Sequence, residues 1–141
     1  MTLSAARSLW TVLAVTVVVG LAASLVGCAS TGAISPIAVS DVKSVAGKWA
    51  GLVYGSGSTQ PDYVEMTIHE DGSYDVVSRQ TIGASRGKGK IVISEGRLII
   101  EGARGRGVAS VMSGPGGERI MKVDATLSDN TALSAQLWPI R

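Results

Sequence analysis

The sequence predicts an all-β fold: a small antiparallel meander of about eight short strands, closed into a barrel. Three observations carry this. Apolar and polar residues alternate with a period of two over many short stretches, as in Val64-Glu65-Met66-Thr67-Ile68. Turn chemistry recurs about every eight to twelve residues, which is the spacing of hairpins rather than of crossovers. No stretch beyond the N-terminal apolar run shows a helical period.

Each element follows from its own residues. Gly47-Lys48-Trp49-Ala50-Gly51 opens the first barrel strand. Val64, Met66 and Ile68 alternate with Glu65, Thr67 and His69 in the second, and Glu70-Asp71-Gly72-Ser73 supplies an Asp-Gly turn. Tyr74, Val76 and Ser78 then share one face of the third strand, with Asp75, Val77 and Arg79 on the other. Ile91 and Ile93 lead into the tight turn Ser94-Glu95-Gly96-Arg97, and Leu98-Ile99-Ile100 returns from it. Val108 to Met112 precedes the loop Ser113-Gly114-Pro115-Gly116-Gly117. Met121, Val123, Ala125 and Leu127 form the next apolar row, and after Ser128-Asp129-Asn130 come Leu133, Ala135 and Leu137. A meander of this length has two open edges, and closure removes both, which favours a barrel over a sandwich. The glycine-rich basic stretches 87–90 and 102–107 read as bulges and bends that let a small barrel curve.

The Gly47-x-Trp49 pair resembles the G-x-W signature of lipocalins and related small barrels. That resemblance implies that Trp49 plugs the closed end, with Gly47 as the glycine of the signature. It also implies a basic residue over the ring, for which Arg119 and Arg141 are the candidates. The chain is short for a lipocalin and shows no other motif of that family. Avidin-like barrels and small barrel-type inhibitors fit the same pattern.

The N-terminus has a different logic. Arg7 is the one charge before an apolar run from Leu9 to Val26, which closes on Leu25-Val26-Gly27-Cys28. A charged start, an apolar middle and small residues at the end are the parts of a secretory signal. The last four residues resemble a bacterial lipobox. Membership of that class implies thioether lipidation of Cys28, cleavage between Gly27 and Cys28, and anchoring by two or three acyl chains, each buried methylene adding about 0.8 kcal/mol. Ala29, where enterobacterial inner-membrane lipoproteins carry Asp, implies outer-membrane delivery. The same segment is also long enough for an uncleaved membrane helix. An ordinary cleaved signal would leave Cys28, the only cysteine, as an incidental thiol. The domain expectation is therefore a signal at 1–27, the lipidated cysteine and a flexible tether at 28–45, and a barrel at 46–141. Asp41 is placed to N-cap a helical turn at the end of that tether.

Composition narrows the function. Without Arg7 the chain carries 12 basic and 11 acidic side chains, too balanced for a protein built to coat polyanions. An exported, tethered chain has little access to nucleic acid, and none is expected as a partner. The charge is unevenly spread: residues 79–106 hold seven cations against Glu95 and Glu101. Arg86, Lys88, Lys90, Arg104 and Arg106 are the candidate contacts there for an acidic protein or for anionic lipid, against the plainer reading of a solvated outer face. His69 is the single histidine, and a metal site would need it to converge with Glu70 and Asp71, a poor set for a site that requires three or four ligands. No Gly-x-Ser-x-Gly elbow and no phosphate-binding loop is present, so neither catalysis nor a cofactor is expected.

The leading expectation is non-catalytic binding of a hydrophobic or amphipathic small molecule inside the barrel, lined by Val64, Met66, Ile68, Val123 and Leu133. The alternative is a protein-interaction module, an envelope assembly factor or an inhibitor of an exported enzyme, whose barrel is filled by its own side chains.

Overall fold

The computed structural model describes residues 33–55, 59–80 and 83–141. The signal segment, the lipobox with Gly27 and Cys28, and the proposed cleavage point lie outside the described residues. The first strand, β1, is Ser35–Ile37, followed by a single 3-10 turn at Val42–Val45. Eight further strands follow: β2 Gly47–Gly55, β3 Asp62–Ile68, β4 Ser73–Gln80, β5 Gly83–Ser94, β6 Arg97–Gly102, β7 Gly105–Ser113, β8 Arg119–Leu127 and β9 Ala132–Ile140.

Strands β2 to β9 each pair antiparallel with the next, and β9 pairs back onto β2 with Ala50 opposite Trp138. The result is a closed eight-stranded barrel with no free edge among its staves, as the alternation predicts. The turns follow their residue types. Glu95 and Gly96, between β5 and β6, both have positive φ (51° and 76°), the two-residue geometry whose twist matches that of the flanking strands. At the β3–β4 turn the Asp71 carboxylate accepts hydrogen bonds from the Ser73 amide (2.8 Å) and hydroxyl (2.6 Å). Those bonds, the hydroxyl's foremost, hold the Asp71 carboxyl below its ordinary value. Their contribution is thus present above the usual carboxylate range and is lost as the pH falls through the lowered value.

Strand direction defines two ends. The β3–β4, β5–β6 and β7–β8 turns and the 3-10 turn gather at one, which is closed. There Trp49 is 2 % exposed, and its indole nitrogen donates to the Val45 carbonyl at 2.9 Å. Of the two basic candidates, Arg119 covers it, with its guanidinium 5.6 Å from the ring centre and one nitrogen donating to the Ser44 carbonyl at 2.9 Å. Gly47 takes φ +126° where the chain leaves the 3-10 turn, a conformation strained for any L side chain. The β2–β3, β4–β5, β6–β7 and β8–β9 connections gather at the opposite, open end.

The tether expected through Val45 is shorter than that. Asp41 does cap the 3-10 turn, accepting from the Lys43 amide at 3.0 Å. However, Ser35–Ile37 pairs with β7 beyond the point where β6 stops, from Ser35 opposite Ser113 to Ile37 opposite Val111. The Val39 amide then bonds to the Gly96 carbonyl, and Val39 and Val45 are buried in the core. These two valines cap apolar surface that the closed end would otherwise expose, so residues 35–45 belong to the barrel domain.

Candidate binding surface

The interior is the first place to look for a ligand, and its closed half is occupied by the protein itself. Val64, Met66 and Ile68 are buried in one cluster with Trp49, Tyr74, Leu98, Ala109, Val111, Met121 and Leu137. Leu98, Ala109 and Met121 have no exposed surface. Among the described residues no charged side chain is buried, and the polar groups of this cluster are the Trp49 indole nitrogen, which donates to Val45, and the Tyr74 hydroxyl. Val123 and Leu133 differ from the other three. Both are half-buried, nearer the open end, and Val123 packs against the cluster from above. The five residues expected to line one cavity therefore separate into three core residues and two at the mouth.

Glycines account for much of the narrowing. Gly89 of β5 faces inward between Tyr74 of β4 and Gly102 of β6. A Cβ at Gly89 would fall on the backbone carbonyl of Glu101, so the β5–β6 seam closes only with glycine there. The Tyr74 ring lies against Gly102 in the room so made, and burial raises its phenol pKa.

On the outside, the structure gathers the basic residues. Arg86, Lys88 and Lys90 alternate with inward glycines along β5 and are all exposed. Lys90, Glu101 and Arg106 stand in register across β5, β6 and β7, and Arg104 occupies the adjoining hairpin tip at the open end. Arg86 neighbours Val77 and Lys88 neighbours Asp75 on β4. Arg86, Lys88, Lys90 and Arg106 stand outside the ion pairs Glu65–Arg79 (3.0 Å), Asp75–His69 (2.9 Å) and Glu95–Arg97 (3.7 Å). Their charge is available to a partner, although Glu101 and Asp75 interrupt the patch. His69 bonds to Asp75 rather than converging with Glu70 and Asp71, and no metal-binding group of three His, Asp or Glu side chains exists among the described residues.

A second surface escaped the sequence reading. Leu52 and Tyr54 on β2, Tyr63 on β3 and Trp138 on β9 all point outward, between 37 % and 50 % exposed. Register sets Leu52 opposite Tyr63 on one side and Gln136 on the other, with Trp138 diagonal to Leu52 and Tyr54 farther along, opposite Ser134. Close by, a shallow groove open to solvent crosses β9 near the open end. Ala132 and Ser134 form its floor, Tyr54 stands on one side, and Asp124 and Thr126 of β8 stand on the other. Tyr and Trp are residue types enriched at protein contact surfaces, whereas the Ala, Ser and Asp beside them in the groove are not. The signal was in the parity of Tyr54, Tyr63 and Trp138 along their strands, but adjacency needed the register.

A closed antiparallel barrel whose closed half is packed, with two distinct outer surfaces, is what the fold and the site define. Comparison with known proteins finds no match: no family model, no curated protein and no solved structure resembles the chain.

Proposed function

We propose that this protein is a bacterial envelope lipoprotein, anchored through acyl chains on Cys28 and delivered to the outer membrane, that works as a non-catalytic protein-interaction module. The observation that carries the reading is the packed interior. Three of the five side chains expected to line a ligand cavity, Val64, Met66 and Ile68, are the core, while Tyr54, Tyr63 and Trp138 are left outside. Exposed aromatic groups of this kind are uncommon on a surface with no partner. The partner is acidic or carries an acidic segment, because Arg86, Lys88, Lys90, Arg104 and Arg106 lie on one exposed side of the barrel.

Crosslinking in cells tests this. Arg104→Glu together with Arg106→Glu reverses two exposed charges and leaves the core untouched, so the fold survives. Crosslinked partner is expected to fall several-fold, with the rate of association carrying most of the loss. An undiminished yield would remove the basic side from the account.

A second reading rests on Val123 and Leu133. Their half-buried side chains at the mouth support a small hydrophobic ligand seated across the open end, above the filled core.

A further inference from the structure

We infer that the closed end of the barrel lies against the bilayer and the open end points away from it. The inference rests on the lipoprotein reading of Cys28 and adds the surface by which the domain meets lipid. Its starting point is where the chain enters the fold. β1 runs beside the last residues of β7, with Ser35 opposite Ser113, and β7 ends at the closed end. The folded domain thus begins seven residues after the anchoring cysteine, and it begins at its closed end.

Reach decides the orientation. Seven residues of relaxed chain span roughly 13–16 Å, and their full contour is only about 25 Å. A nine-residue stave such as β2 is about 30 Å long, so at a barrel tilt of 35–45° the two ends lie roughly 20–25 Å apart. The closed end reaches the headgroups on a relaxed tether. The open end does so only with a segment of that length drawn out to nearly its full contour along the whole wall.

The side chains at the closed end suit that contact. Ile34, Ile37 and Ile140 are large apolar groups exposed there, and Lys43 and Lys48 stand exposed among them. Acidic side chains share this end, Glu95 and Glu118 among them, so the tether rather than net charge sets the direction. In this orientation Arg104, Arg106 and the upper part of the Tyr54 groove are held away from lipid and towards other envelope components.

The test uses the lipidated mature protein in phosphatidylethanolamine–phosphatidylglycerol vesicles that carry a headgroup quencher. A fluorophore is attached at Pro115→Cys, in the exposed β7–β8 loop of the closed end, or at Ser128→Cys, in the exposed β8–β9 turn of the open end. Quenching several-fold stronger at position 115 is expected. Equal quenching, or stronger quenching at position 128, would overturn the inference. A Gly/Ser insertion of about 20 residues after Ser30 lengthens the relaxed reach to roughly 30 Å and is expected to level the two signals. A difference that survives the insertion would overturn the tether as its cause. The unsubstituted protein separates this failure from that of the lipoprotein reading. A Cys28 that reacts with maleimide after denaturation is not a thioether and sinks the anchor itself, whereas an unreactive Cys28 with equal quenching sinks only the orientation.

Discussion

Trp49→Ala is expected to cost about 3–5 kcal/mol of stability, the range for truncating a large buried aromatic. Three losses coincide. The ring is 2 % exposed in the core, so its removal leaves a cavity between the barrel floor and the 3-10 turn. The Val45 carbonyl loses the indole donor that satisfies it inside the protein. Arg119, which lies over the ring and also donates to Ser44, loses its platform. With these contacts gone, the segment from Val39 to Val45 is held across the closed end by the Val39–Gly96 bond and its two buried valines, without the ring they pack around. A domain of this size has a total stability near the lower part of the usual range of about 5–15 kcal/mol, so the variant is expected to be largely unfolded at 37 °C. Urea unfolding of the soluble domain checks this, with Trp138→Ala as the comparison. Trp138 is 39 % exposed, and its loss is expected to move the midpoint only slightly. Equal midpoints for the two variants would mean that Trp49 does not close the barrel.

Gly89→Ala is expected to destabilise at the upper end of the 1–3 kcal/mol that overpacking costs, although it adds one methyl group. The added carbon meets the carbonyl and neighbouring backbone atoms of Glu101 and the Cα of Gly102. Backbone cannot swing aside as a side chain does. The β5–β6 ladder must open where Lys90 faces Glu101, and the seat of the Tyr74 ring opens with it. Gly116→Ala is the matched control. Its new methyl would meet only the flexible end of Glu118, which has solvent to move into. Amide hydrogen exchange is expected to accelerate along β5 and β6 in the first variant and to stay unchanged there in the second. Similar exchange in both would show that the seam tolerates a side chain at position 89.

The contrast between these sites shows which parts of the fold were legible in the chain. Strand positions were, because alternation such as Val64-Met66-Ile68 and turns such as Asp71-Gly72 and Glu95-Gly96 are local signals. The G-x-W resemblance pointed to Trp49 at the closed end, where its ring is buried, and named Arg119 as one of two residues to cover it. The strap from Ser35 to Val45 was not legible as structure. Its apolar residues Val39 and Val45 follow no period, and their burial depends on a floor that only the assembled barrel supplies. Residues 87–90 read as bulges and bends because glycine weakens a strand. They pair continuously as β5, since the inward-facing glycines leave room for Tyr74 and for Val76 beside Gly87.

The candidate site was less legible, for a related reason. Alternating apolar residues line a cavity or fill a core equally well, and the difference is one of volume, which pattern does not encode. Val64 and Val123 carry the same sequence signal, yet one is buried in the cluster and the other sits at its margin. The Tyr54–Trp138 surface likewise depends on β2 meeting β9, a pairing between the first and last staves that no local feature announces.

Native mass spectrometry of residues 30–141, exported without the acyl chains and purified gently, tests the packed-core account most directly. The account predicts the bare mass of the polypeptide, with no adduct that denaturation removes. A lipid or other small hydrophobic molecule carried through purification and released on unfolding would contradict it, and would return the function to the open end above Val123 and Leu133.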